Sequence, residues 1–386
     1  MQQYYTKDYQ KTSTETKQKN IYLVSPDYTL YISVIFLILI GILMVFSASY
    51  YVAVRELNLS PFHYLIQQST AAVIGFFVMF ITANVHYRYT KRFIGIFYWF
   101  AMALLILVLI MGAERGGVAR WLTVPGTSFT FQPSEIAKLA AILMVSNKIS
   151  TINNVLLRLR GTLYVGFFAA LPTFLIIRNN FSSGLIMAAV GFGILFVASP
   201  HTAAFVLLGI SGVAAIVLFL MFGGDFRGAR FDVWLDPFSD PLGIGYQTIQ
   251  SLYAIGSGGL FGLGLGGSRQ KLGFIPEAHN DIIFSVIIEE LGLVGGVLVL
   301  FLFGVFLWRA FKIAVRSGDM FGSLIATGIA IMIGSHVVIN IGVVTNSIPN
   351  TGVPLPFISY GGTALVTAMA STGLLLSISR FTKSLN

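Results

Sequence analysis

Residues 256–308 read GSGGLFGLGLGGSRQKLGFIPEAHNDIIFSVIIEELGLVGGVLVLFLFGVFLW. From Ile282 to Trp308 the stretch is almost continuously apolar, longer than the roughly 20 residues a helix needs to cross a bilayer. A helix apolar on every side belongs in lipid or in the core of a large protein. In front of it stands a glycine-rich run that cannot be an ordinary helix. Arg269, Lys271, Glu277, His279 and Asp281 then gather within a few residues, and Glu289 and Glu290 lie inside the apolar run.

The rest of the chain follows from this segment. Of its 386 residues, 56% are hydrophobic and 10% are charged, against roughly 25% charged in a soluble domain. The composition is that of an all-α integral membrane protein. Phe and Gly are both abundant (33 and 40), as in helices packed in lipid. Cysteine is absent, which removes disulfides and thiolate chemistry. The net charge of +9 is read as topology-setting charge in short loops, not as a nucleic-acid surface. The first apolar run follows a polar tail without a clear small-residue cleavage site, so no removable signal is expected.

Ten spans are predicted: 30–52, 64–84, 93–111, 134–145 (short), 163–177, 183–198, 202–222, 282–308, 321–344 and 361–378. With both termini in the cytoplasm, most Lys and Arg fall on the inner side, among them Arg88, Lys91, Arg92, Lys148, Arg158, Arg160, Arg309, Lys312, Arg316 and Arg380. This is the bias expected for that orientation. The organisation is then a tail over 1–26, a polytopic domain over 27–381 with one long outer loop at 223–281, and a short end at 382–386. The loop's aromatic content argues against disorder. Its LYAIGSGGLFGLGLGG segment reads as re-entrant or surface-lying, a place where irregular backbone needs protein or water around it.

Asp281, just ahead of the long helix, reads equally as part of a helix cap or as a general base that takes a proton from a sugar hydroxyl. His279 and Glu277 stand close enough in sequence to assist it, or to take a divalent ion with it. Glu289 and Glu290 lie further along the helix, and a structural pairing with Lys138 or an arginine is expected for them. A second cluster spans 112–138. Pro133-Ser134-Glu135 reads as a helix start, and Lys138 pairs with Glu135 at i,i+3 or meets a lipid phosphate. Arg120 beside Trp121 suits phosphate and sugar, or an interfacial anchor. The letters G-x-G-x-x-G at 262–267 lack the preceding strand of a dinucleotide site. The proline-rich stretch NSIPNTGVPLPFISYGG (346–362), with Ser359, reads as a rigid connection, and His336 as a packing residue.

Five spaced motifs carry a resemblance: GVARWL (117–122), FQPSEIAKL (131–139), DPLGIGYQTIQSLYAIGSGG (240–259), PEAHNDIIFSVIIEELG (276–292) and TGVPLPFISYGG (351–362). Over about 27–381 the chain resembles the SEDS family of shape, elongation, division and sporulation proteins, which includes FtsW, RodA and SpoVE. The opening SPDYTLYISVIFLILIGILMVFSAS is similar to the division and sporulation members rather than to RodA. The resemblance implies ten helices with both ends cytoplasmic. It also implies peptidoglycan glycosyltransferase activity on lipid II at the outer face of the bacterial cytoplasmic membrane. The expected partners are lipid II, the undecaprenyl-pyrophosphate glycan, a class B penicillin-binding protein as transpeptidase, and divisome or elongasome components. Residue by residue, the family's essential aspartate falls on Asp281, its R-W arginine on Arg120 and its fourth-helix lysine on Lys138. Asn180 stands where many members carry an aspartate. The expected chemistry uses Asp281 as base. Arg120 and Lys138, with Trp121, Arg269 and His279, meet sugar and pyrophosphate, Glu277, Glu289, Glu290 and Ser359 support them, and a divalent cation (Mg2+ or Mn2+) shares the charge. The rival readings are a lipid II flippase, suggested by the intramembrane ionisable residues, and a non-catalytic scaffold for the penicillin-binding protein.

Overall fold

A computed structural model describes residues 25–115, 118–123, 130–152, 154–222 and 232–381. The tail expected over 1–26, the end at 382–386 and part of the 223–281 loop fall largely or partly outside the described residues.

The long helices are α1 (Tyr28–Tyr51), α2 (His63–Asn84), α3 (Ile94–Met111), α4 (Pro133–Thr151), α5 (Leu159–Asn179), α6 (Phe181–Ala198) and α7 (Thr202–Phe222). After them come α8 (Tyr246–Gly258), α9 (Ile283–Arg316), α10 (Met320–Val344) and α11 (Gly362–Arg380). Eight of these, α1 to α3, α5, α6 and α9 to α11, are long and apolar enough to cross a membrane. Helices α4 and α7 occupy the places of the fourth and seventh predicted spans. The expected boundaries hold within a few residues except at α4 and α9, which run on to Thr151 and Arg316 through polar and basic residues that an apolar count leaves out.

Helix α4 is the centre of the bundle. Its residues from Pro133 to Val145 are buried with the single partial exception of Ile136, and α3, α5, α6, α10 and α11 pack around it. Helices α2 and α11 approach closely at Gly373, where a Cβ would meet Thr82 Oγ1 at 1.9 Å. Ion pairs close the end opposite Asp281. Asp27 caps α1 through Leu30 N (3.0 Å) and pairs with Arg309 (2.5 Å), and Asp319 caps α10 and pairs with Arg88 (2.7 Å).

Two features lie outside the ten predicted spans. Residues 112–131 hold a small antiparallel sheet, β1 (Ala113–Arg115), β2 (Val118–Thr123) and β3 (Thr130–Phe131), in the order β1-β2-β3. Strands this short carry too little alternation to be read from sequence. Helix α8 is the second. It ends at Gly258, and Gly259 follows at φ +55°, so the glycine run leaves the helix where the sequence requires.

Helix α9 is broken at Gly292 (φ 73°, ψ −175°). Its 34 residues would span about 51 Å at 1.5 Å each, more than a bilayer core needs. At the break the glycine run docks backbone to backbone. Leu263 N and Gly264 N donate to Glu289 O (2.9 Å) and Glu290 O (3.0 Å), while Leu293 N and Val294 N donate to Gly259 O (2.9 Å) and Leu260 O (3.2 Å). Only glycine fits there. A Cβ on Gly292 would lie 2.2 Å from Leu260 O, and one on Gly262 would lie 2.2 Å from Glu290 O.

Gly292→Ala therefore adds a backbone clash to a left-handed φ, a strain of about 1–3 kcal/mol before the clash. The purified variant should unfold at a clearly lower temperature in detergent, whereas Gly304→Ala, with nothing within 4 Å of its added Cβ, should match the parent. Equal melting of the two variants would refute the docking.

Candidate functional site

Asp281 sits on the turn that enters α9, half-buried. The carbonyls of three consecutive residues are held from the opposite side. Tyr360 N donates to His279 O (3.0 Å), Ser359 Oγ to Asn280 O (2.7 Å), and Asn340 Nδ2 to Asp281 O (2.6 Å). Asn340 also donates to Val353 O (2.8 Å), and Leu355 N donates to Ser359 Oγ (2.8 Å). The proline-rich 346–362 segment is thus the clamp of the Asp281 turn, with Ser359 among its hydrogen-bonding groups. Gly352 (φ +59°) lies against the carboxylate, where a Cβ would be 3.3 Å from Asp281 Oδ2.

The cap alternative for Asp281 is not what the structure shows: residue 282 occupies the cap position of α9, and no side chain caps it. Burial pushes the Asp281 carboxyl up to about 6, against its own backbone N–H. Glu277's charge adds to the rise, while Arg120's charge and the Ile282 N–H oppose it. A carboxylate with this value is ionised at neutral pH yet basic enough to accept a proton. His279 is buried, and burial pushes it down to about 4, with Glu277 opposing, so it is neutral. Its ring packs on Tyr64 (4.6 Å between centroids) and Tyr360 (5.5 Å). Glu277 takes a hydrogen bond from Asn280 Nδ2 (3.1 Å).

Arg120 reaches this site from β2. Its Nε donates to Asn179 O (3.0 Å), and it lines a cleft with Gln132, Ser134, Asn179 and Asn180 over an apolar floor of Leu105, Val108, Leu175 and Ile176. Trp121 is its half-buried neighbour. Asn180 caps α6 through Ser183 N (3.0 Å), a role an amide fills as well as the acid it replaces. Ser182 Oγ donates to Thr351 O (3.0 Å), next to Gly352, which joins the Arg120 cleft to the Asp281 clamp.

Other expected residues lie elsewhere. Lys138 is fully buried, with its ammonium 2.8 Å from Glu135 Oε1 and 2.9 Å from His336 Nε2. His336 Nδ1 faces Met332 O (2.8 Å), which makes that nitrogen the donor and Nε2 the acceptor from lysine. The i,i+3 pair is the alternative that this structure realises for Lys138. The partner expected for the two glutamates is corrected. Glu290 pairs with Lys271 (2.5 Å), together with Ser47 Oγ (2.7 Å) and Gly266 N (3.0 Å). Glu289 pairs with neither Lys138 nor a guanidinium among the described residues; it accepts from Ser268 Oγ (2.5 Å) and Arg269 N (2.9 Å). Lys271 escaped the reading because it lies outside the helices, in a loop whose docking no local pattern reveals. Arg269 is thereby tied at the level of Glu289, about 12 Å along the helix from Asp281, and its exposed side chain is not among the groups gathered around the carboxylate.

Asn340 and Gly352 are site residues the sequence reading missed. A lone amide in the apolar α10 is a detectable signal, whereas Gly352 has none until its neighbour is known. Among the described residues no three His, Cys, Asp or Glu side chains converge as a metal centre.

Comparison with known proteins places this geometry. The family described as cell cycle protein, comprising FtsW, RodA and SpoVE, matches residues 28–384. The stage V sporulation protein E of Bacillus subtilis (strain 168) is 40% identical over 93% of this chain and 98% of its own length. A probable peptidoglycan glycosyltransferase FtsW of Geobacter sp. (strain M18) is 36% identical over 88% and 92%. Among solved structures, a chain from work on the structural coordination of polymerization and crosslinking by a peptidoglycan synthase complex superposes with TM-score 0.77 at 27% identity, covering 94% of this chain and all of that one. The rod shape determining protein RodA of Thermus thermophilus superposes with TM-score 0.67 at 26% identity, covering 92% and 97%.

The Lys271–Glu290 pair holds the loop through a buried charge, which mutation tests. Lys271→Met leaves a fully buried carboxylate without its cation, a loss of roughly 3–5 kcal/mol. The double variant Lys271→Met/Glu290→Gln removes both charges and should recover most of it. Denaturant unfolding in detergent measures both, and a single variant as stable as the parent would show that the pair does not hold the loop.

Proposed function

The chain belongs to the FtsW/RodA/SpoVE family of cell cycle proteins, and from that premise we propose how it works. It is a multi-pass peptidoglycan glycosyltransferase of the bacterial cytoplasmic membrane that polymerises lipid II into β-1,4 glycan strands. The observation that supports the chemistry is the Asp281 carboxylate, fixed by its clamped backbone, raised towards neutrality by burial and lying within the field of Arg120.

In this reading Asp281 takes the proton of the acceptor's 4-hydroxyl as that oxygen attacks the anomeric carbon of the growing chain. The new C–O bond forms as the bond to the lipid pyrophosphate breaks, and the configuration inverts. One base and a good leaving group suffice, so a second carboxylate acting as nucleophile is unnecessary. Arg120 offsets the charge that develops on the departing pyrophosphate. Neutral His279, with Tyr64 and Tyr360 around it, shapes the wall beside the base. A divalent cation enters the proposal only as a companion of the pyrophosphate. Such an ion needs one or two protein carboxylates, Glu277 is the second carboxylate at this mouth, and the ion would supply charge neutralisation.

The transporter reading loses its support in the packing. Lys138, His336 and Glu290 are engaged with one another or with Lys271, and Glu289 with Ser268 and Arg269 N; they do not line a path. The proposed setting is division or sporulation rather than elongation, because identity to the SpoVE and FtsW relatives (40% and 36%) exceeds that to the RodA structure (26%). The proposed partner is a class B penicillin-binding transpeptidase, by analogy with the peptidoglycan synthase complex that the fold matches.

Asp281→Asn should reduce polymerisation of purified lipid II by about 10²–10⁴-fold, the contribution of a positioned general base, with unfolding behaviour unchanged. Near-normal polymer from that variant would remove Asp281 from the mechanism. The same assay in EDTA should slow if a divalent cation accompanies the pyrophosphate, and an unchanged rate would remove the ion.

A further inference from the structure

We propose that the N-terminus of α4, through the Ser134 hydroxyl, forms the second half of the pyrophosphate cradle opposite Arg120. The inference rests on the glycosyltransferase reading and assigns to its leaving group a residue that the resemblance does not.

The helix end is open by construction. Its cap residue, Gln132, makes no side-chain cap hydrogen bond, and Pro133 at the first position has no N–H to offer. A helix of 19 residues carries partial positive charge at this end, which favours an anion. The first-turn acid that would ordinarily answer that charge, Glu135, has its carboxylate against the Lys138 ammonium, which in turn meets His336. The acid is neutralised inside the bundle and the helix end keeps its polarity.

Ser134 supplies an independent observation. The residue is only 7% exposed, and its Oγ has no hydrogen-bond partner among the described residues. A buried hydroxyl left this way is unfavourable unless a ligand completes it. Ser134 lines the same cleft as Arg120, whose charge bears on the Asp281 carboxylate. The α4 end, the Ser134 hydroxyl and the Arg120 guanidinium line one cleft. That donor set suits a multiply charged phosphate oxyanion and offers little to a sugar or a lipid tail. It also replaces the role expected of Lys138: the anion contact of α4 is one turn nearer its end, while the lysine serves the helix core.

Binding is measured on the detergent-purified full chain in the Asp281→Asn background, where turnover does not interfere. The probes are undecaprenyl pyrophosphate and undecaprenol. Ser134→Ala should weaken the pyrophosphate lipid about tenfold, the effect of losing a hydrogen bond to a charged group, and leave undecaprenol unchanged. Ser134→Thr, which keeps the hydroxyl, should bind closer to the parent than Ser134→Ala does. Unchanged affinity of Ser134→Ala for the pyrophosphate lipid overturns the proposal, as does an equal loss for both lipids. Polymerisation by Asp281→Asn would instead sink the base assignment, so the two failures are separable.

Discussion

The structure depends on the exchange of backbone hydrogen bonds at Gly292. A helix broken within a membrane protein exposes carbonyls and N–H groups that lipid cannot satisfy. Here the glycine run between α8 and α9 satisfies them in both directions, two N–H groups given and two received. The two glutamates beside the break complete the attachment. Glu289 holds Ser268 Oγ and the Arg269 N–H, and Glu290 holds Gly266 N and Lys271. Acids inside an apolar helix are costly alone. Here they are the sockets into which the loop is plugged, and the same loop continues to Asp281.

Attachment at one end would leave the Asp281 carboxylate free to wander, and the other end is fixed by a different device. Asn340, Ser359 and the Tyr360 N–H hold three successive carbonyls of the Asp281 turn. Neutral groups do this work. An arginine or lysine in the clamp would pull the carboxyl down and make it a weaker base. Among the described residues the cation whose charge bears on it, Arg120, is anchored through Nε on Asn179 O. The charges that α4 brings to the centre of the bundle, Glu135 and Lys138, cancel each other there.

Much of the fold was legible in the sequence, because an apolar run of spanning length has few other places to go. The break in α9 is not legible in the sequence, which reads as one span over 282–308, and nothing local names Lys271 as the cation for Glu290. That partner depends on a loop folding back across a separation of 19 residues. The small sheet and α8 were invisible for the opposite reason, since each is too short or too mixed in pattern to stand out. In the sequence Asp281 could be told from a helix cap only through the family resemblance; in the structure the cap position of α9 falls on Ile282 and no side chain caps it. Ser134 looked like part of an ordinary helix start, and only its burial without a partner marks it.

The central claim is that Asp281 acts as a base whose strength is set by its surroundings, and the pH–rate profile of lipid II polymerisation tests it most directly. The carboxylate is the active form, so the rate should rise with pH through an acid limb near pH 6 and fall below it. Glu277's charge raises the carboxyl, so Glu277→Gln should move the limb to lower pH. A limb that stays in place in Glu277→Gln, or a rate indifferent to pH between about 5 and 7, would contradict the account.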